Sequence, residues 1–207
     1  MSKFRPKSLL DIGGKVLEQI LINRMNHHVY SRGHMNKIQF GFGPQKNTLY
    51  AAMAIKDFVQ EGLAAGEVIA LVRLDVQGAF EAAWWPGILK ELRECGCPKN
   101  IYGLTKGYFI QRTASLSTNN LRTEKEICRG CPKGLCCGPG FWNLQYNSLL
   151  ELKHMARTKV VAFADDLIMA TRGDSVRAVE NYVNIELSKI KGGQRTTRLN
   201  LTTKNQK

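Results

Sequence analysis

The stretch Val160–Ala170, VVAFADDLIMA, places two adjacent aspartates inside a run that is otherwise wholly apolar. Val160 to Ala164 and Leu167 to Ala170 each read as a short buried strand, which predicts that Asp165 and Asp166 share the tight turn of a hairpin. Two carboxylates so close repel each other, and one is expected to keep its proton unless a cation or a basic group offsets the charge. A divalent metal does this well, because hard oxygen ligands suit magnesium or manganese. Aspartate is also a common hairpin residue, so the stretch by itself leaves a plain turn and a metal site both open.

A second carboxylate site lies upstream. Residues 67–76 read as a buried strand that finishes at Asp75. Both acidic positions are bordered by apolar residues, LVRL before Asp75 and VVAF before the aspartate pair. If the two strands are neighbours the three carboxylates meet, and such a set around one or two divalent ions is the arrangement used for in-line phosphoryl or nucleotidyl transfer.

Around these strands the pattern is mixed. Apolar spacing predicts helices over residues 8–25, with Ser8 or Asp11 as cap, and over 48–63, 86–95, 99–111, 141–152 and 175–190. Residues 39–47, QFGFGPQKN, read as a loop, and 113–117 with 122–128 as a strand pair. The loop RGCPKGLCCGPG leads into the helix at 141, and the tail from Lys191 reads as polar and only weakly strand-like. Strands and helices alternate without a parallel βαβ rhythm, so the class is α+β.

The 207 residues carry 30 Lys and Arg against 17 Asp and Glu, a formal net charge of +13 spread along the chain. That excess favours a polyanionic partner, with nucleic acid foremost. No run reaches the ~18 apolar residues of a membrane-spanning helix, and MSKFRPK lacks the apolar core of a signal peptide, so an intracellular protein without a membrane partner is expected. The six cysteines are then expected to be reduced. Cys128 and Cys131 form a CxxC with Cys136 and Cys137 behind it, but no second CxxC or histidine pair stands at zinc-finger spacing.

The residues also resemble a family. LVRLDVQGAFEAAWWPGILKEL is similar to reverse transcriptase motif A, RGCPKGLCCGPGFWNLQYNSLL to motif B and VVAFADDLIMA to motif C, in that order. Upstream, FRPKSLLDIGGKVLEQILINRM and IQFGFGPQKNTLYAA resemble the finger segments of non-LTR retrotransposon polymerases. The WW after motif A and the CCGPGFWNLQYNSLL stretch look closest to arthropod elements that insert into ribosomal RNA genes. The resemblance covers about residues 4 to 190.

It implies a right-hand polymerase, with fingers over 1–66, a palm of antiparallel sheet backed by helices (RRM/ferredoxin-like) over 67–190, and a tail or truncated motif D over 191–207. The thumb is expected to lie outside this chain, as are the endonuclease and Cys/His segments of a Pol polyprotein. The activity implied is RNA-directed DNA polymerisation with two Mg2+ or Mn2+ ions, an RNA template, a DNA primer at a target site and deoxynucleotides, in the nucleus. Asp75, Asp165 and Asp166 match the catalytic metal ligands, with the Val76 carbonyl as a further oxygen donor. Phe80 matches the aromatic that excludes a 2′-hydroxyl. Gly134 and Lys133 fall in the nucleotide-facing loop, and Arg5 resembles a finger arginine that meets the triphosphate. Gly130, Pro132 and Phe163 fall where the nucleic acid would pass. The chain departs from the family pattern at Lys133, where Gln is usual, at Leu135, at Glu81 and at Phe163, where Tyr is common. Two alternatives remain: a nucleic-acid-binding remnant without activity, and an RNA-dependent RNA polymerase palm.

Overall fold

The computed structural model describes residues 8–118, 121–131 and 134–203. In chain order the elements are α1 (Ile12–Ser31), α2 (Thr48–Ala64), β1 (Val68–Val76), α3 (Ala79–Ala82), α4 (Trp85–Glu94), α5 (Lys99–Phe109), β2 (Thr113–Thr118) and β3 (Leu121–Glu126). They continue with α6 (Cys137–Leu150), β4 (Thr158–Phe163), β5 (Asp166–Gly173), α7 (Val176–Thr197) and β6 (Leu201–Thr203). No described helix is long and apolar enough to cross a membrane. Two compact units result, one of Met35–Ala79 with Tyr146–Lys207 and one of Met1–His34 with Phe80–Gln145.

The first unit holds a four-stranded sheet in the order β4-β5-β1-β6. All three of its strand pairings are antiparallel. Neighbouring residues of a strand point to opposite faces. On β5, Arg172 lies 4.5 Å from the centre of the Phe58 ring of α2. A side chain built at the next position, Gly173, would instead meet Val179 and Tyr182 of α7. The two helices therefore cover opposite faces, and between them Leu74, Val76, Val160, Ala162, Leu167, Met169 and Val179 are withdrawn from water. This burial is why the hairpin strands read as apolar runs; β1, expected to be buried along residues 67–76, is buried only at Leu74 and Val76, with Leu71 60% exposed.

The second unit packs Leu21, Ile22, Met25 and Val29 of α1 with Ile88 and Leu92 of α4, Ile101 and Phe109 of α5, and Phe141 and Trp142 of α6, all buried. Phe109 stacks on Trp85 with ring centres 4.9 Å apart and meets Phe141 at the same separation. Asp11 caps α1 by accepting from the Gly14 N–H, and β2–β3 form a hairpin exposed along its whole length.

Three further expectations need correction. Asp166 is not in the turn: it opens β5, opposite Phe163, and the two-residue turn is Ala164 and Asp165. The tail from Lys191 is not a loose continuation, since α7 runs on to Thr197 and the chain then adds β6 beside β1. Gly193 lies within that helix and leaves room for Leu149 and Leu152, whose methyl groups would lie 2.9 and 3.0 Å from an added Cβ. Residues 39–47 are not wholly a loop, because Gln39 forms a parallel bridge with Ala162 at the edge of β4.

Candidate active site

Asp75 lies directly opposite Asp166 in the β1–β5 ladder, and on its other side opposite Thr202 of β6. The next residue, Val76, donates its N–H to the Asp165 carbonyl at 3.2 Å. The three carboxylates predicted from distant segments thus gather at one end of the sheet, all half-buried. Asp165 occupies the turn and Asp166 the first strand position, so the pair presents its acids from two different backbone settings.

The turn is held by a segment far upstream. Phe40 donates its N–H to Ala162 and Ala162 donates to Ile38, at 2.8 and 2.9 Å, laying residues 38–40 along β4. The Gln39 side chain then reaches Ala164, whose φ of 57° lies in the left-handed region disfavoured for alanine. Its Oε1 also accepts from Gly41 at 2.8 Å. Gly41 is required by proximity: an added Cβ would stand 2.2 Å from the Ala164 nitrogen. Lys46 ties the segment down by donating to the Lys37 and Gln39 carbonyls at 2.7 and 2.8 Å.

Two further residues belong to this end of the sheet and were not singled out from sequence. Tyr146 of α6 is fully buried, and burial first, then the charges of Asp165, Asp166 and Asp75, push its pKa up. An aromatic hydroxyl in an apolar helix is its only sequence signal. Arg73 of β1 grips Asp166 through two hydrogen bonds, Nε to Oδ1 at 3.1 Å and Nη2 to Oδ2 at 2.8 Å. Those hydrogen bonds first, then the charges of Asp166, Asp75 and Asp165, raise the pKa of the guanidinium above its ordinary value.

Among the described residues, no three His, Cys, Asp or Glu side chains converge as a ready-made metal cage. The donor set nevertheless has the chemistry that magnesium or manganese requires: three carboxylates and a strand-end carbonyl, all hard oxygens, with no competing thiol or imidazole in the set. Phe163 is half-buried and is the cross-strand partner of Asp166.

Phe80 and Gly130 lie in the second unit, where the backbone brings them together. Gly130 donates to the Ala83 carbonyl at 2.7 Å, Cys131 donates to the Phe80 carbonyl at 2.6 Å, and the Trp85 indole donates to the Gly130 carbonyl at 2.8 Å. Gly130 has φ 98°, which demands glycine, and an added Cβ would stand a tight 3.3 Å from the Glu81 carbonyl. The Phe80 ring packs on Trp142 with centres 5.7 Å apart. Gly134 is exposed with φ 88°. Pro132, Lys133 and Arg5 lie outside the described residues.

The end of that loop is anchored by a buried carboxylate. Glu18 of α1 accepts from the Cys136 N–H at 3.0 Å, from the Cys137 thiol at 2.9 Å and from the Tyr108 hydroxyl. It caps α6 from another helix, since the first N–H groups of a helix have no partner within it. Burial, and then the hydrogen bond to Glu18, pushes the Cys137 thiol pKa up.

The family model described as reverse transcriptase (RNA-dependent DNA polymerase) matches residues 1–207. A 115 kDa protein of the type-1 retrotransposable element R1DM of Drosophila melanogaster is 32% identical over 91% of the chain. The Pol polyprotein of the type-1 element R1 of Bradysia coprophila is 32% identical over 86% of it, and the RNA-directed DNA polymerase of the mobile element jockey of D. melanogaster 27% over 86%. The chain spans 18%, 17% and 20% of the lengths of these relatives. Among solved structures, apo telomerase from Candida tropicalis superposes over 92% of the chain and 36% of its own, with TM-score 0.63 at 14% identity. Telomerase from C. albicans, solved with a fragment of telomeric RNA, superposes over 92% of the chain and 35% of its own, with TM-score 0.60 at 14% identity. At such identity the likeness shows the fold, that of polymerase fingers and palm.

Proposed function

The chain belongs to the reverse transcriptase (RNA-dependent DNA polymerase) family, in its non-LTR retrotransposon branch, and from that premise we propose that Asp75, Asp165 and Asp166 form its nucleotidyl-transfer centre. The observation that carries this reading is the register that sets Asp75 opposite Asp166 with Val76 bonded to Asp165. In the proposed reaction the primer 3′-oxygen forms a bond to the α-phosphorus of a deoxynucleotide, the bond to the β-phosphate oxygen breaks, and pyrophosphate leaves. The template is the RNA of the element and the primer is DNA at the target site.

The three carboxylates and the Val76 carbonyl would hold two Mg2+ or Mn2+ ions. Bound there, such ions supply Lewis-acid activation of the attacking oxygen and charge neutralisation at the leaving group. Residues 1–66 serve as fingers and 67–190 as palm. Phe80 acts as the sugar gate, while Gly134 and Lys133 face the nucleotide and Arg5 the triphosphate. Gly130, Pro132 and Phe163 line the path of template and primer.

The test uses the parent-length protein carrying this segment, with an RNA template, a DNA primer and Mg2+ or Mn2+. Extension with deoxynucleotides is expected, and Asp165→Asn is expected to abolish it; activity surviving that change would sink the metal assignment. Phe80→Ala should admit ribonucleotides, and unchanged sugar discrimination removes Phe80 from the site. Retained RNA binding without any extension would identify a non-catalytic remnant instead.

A further inference from the structure

Arg73 shares a sheet face with the proposed centre. In the β1–β5 ladder Asp75 faces Asp166 and Arg73 faces Ile168, so Arg73 and Asp166 are diagonal neighbours across the strands. The guanidinium takes both carboxylate oxygens, at 3.1 and 2.8 Å, with the planar fork that a lysine ammonium cannot reproduce. Both side chains are partly solvated, 44% and 28% exposed. Water-exposed pairs of this kind are weak, so a stronger cation can exchange with the arginine. The charges of Asp75 and Asp165 act on the same guanidinium. A fixed positive charge within the sheet thus stands beside the three acids, on the carboxylate a divalent ion would also need.

We propose that Arg73 is a positioning residue: it holds Asp166 as the built-in counter-ion of the three-aspartate cluster and is displaced when a divalent cation binds. This rests on the assignment of Asp75, Asp165 and Asp166 as cation ligands. Removing Arg73 takes a positive charge away from the acids and leaves their mutual repulsion less offset, so the cluster takes up metal more readily. Keeping it makes cation entry an exchange in which the guanidinium leaves Asp166.

The test is a Mn2+ titration of the 207-residue chain, with free Mn2+ followed by electron paramagnetic resonance. Arg73→Gln is expected to bind Mn2+ about two- to fivefold more tightly than wild type, the range set by a half-exposed ion pair. Arg73→Lys keeps the charge without the fork and should fall between them, and Asp165→Asn should bind more weakly. Equal or weaker binding by Arg73→Gln overturns the proposal and leaves the cation ligands standing. Wild-type binding that ignores Asp165→Asn removes the ligand assignment, and the proposal with it. The unaltered chain supplies a second readout that needs no variant to fold. The Arg73 Nε–H resonance is expected to shift and to exchange faster with water as Mg2+ is added. A resonance unchanged through Mg2+ saturation overturns the proposal.

Discussion

The side-chain amide of Gln39 clasps the backbone of Ala164: Nε2 donates to the Ala164 carbonyl and Oε1 accepts from the Ala164 N–H, both at 3.2 Å. Ala164 needs such support, because a left-handed alanine costs about 1–2 kcal/mol. The peptide so held leads directly into Asp165, and the clasp therefore governs where the proposed catalytic turn begins.

Gly41→Ala is expected to be destabilising by about 1–3 kcal/mol, because the new methyl meets backbone at Ala164 that has nowhere to move. Gln39→Leu should cost a similar amount, about 1–3 kcal/mol, by removing the Oε1 that accepts from the buried Gly41 and Ala164 N–H groups. Thermal unfolding measures both. A melting temperature for Gly41→Ala within a degree of wild type would show that the close approach at Ala164 is not kept in solution.

Glu18→Leu removes the acceptor shared by Tyr108, Cys136 and Cys137. The expected loss is about 1–3 kcal/mol, or roughly 2–4 °C of melting temperature for each kcal/mol. In the native protein Cys137 is buried and should resist alkylation while the exposed Cys136 reacts. In Glu18→Leu the loop end loosens, so Cys137 should become reactive; unchanged protection would show that the loop is held by other contacts.

Glu186 carries a pH dependence. It is fully buried, and burial works to raise its pKa, but hydrogen bonds from Lys189, His154 and the Met155 N–H outweigh that and hold it below the ordinary carboxylate value. A carboxyl whose folded pKa is lowered contributes stability above its unfolded pKa and loses it as pH falls through the folded one. The stability difference between wild type and Glu186→Gln is therefore expected to be present at neutral pH and to shrink below about pH 4.5. Urea unfolding at several pH values measures it. A difference that grows on acidification would contradict the assignment.

Several elements were legible in the order of the residues because their cause is local. β1 announces itself by a largely apolar run that reaches Asp75, the FADD hairpin by two apolar runs around a polar pair, and α2 by helical spacing from Thr48 onward. The end of α7 was not legible: the polar tail from Lys191 carries no apolar spacing that would extend the helix read over 175–190, yet α7 runs on to Thr197. Tyr146 was hidden for a similar reason, since nothing in its helix records which charges lie near its hydroxyl.

The sequence by itself determined the strands, the identity of the three acids and the excess of positive charge, because apolar periodicity and ionisable groups are properties of short stretches and of composition. Only the tertiary structure decided the register that sets Asp75 opposite Asp166, the grip of Arg73 on Asp166 and the clasp of Gln39 on Ala164. Each of these joins residues about a hundred positions apart along the chain. Such partners are chosen by the burial of the two sheet faces and by the need of every enclosed N–H and C=O for a hydrogen bond, conditions that no short stretch of sequence can express.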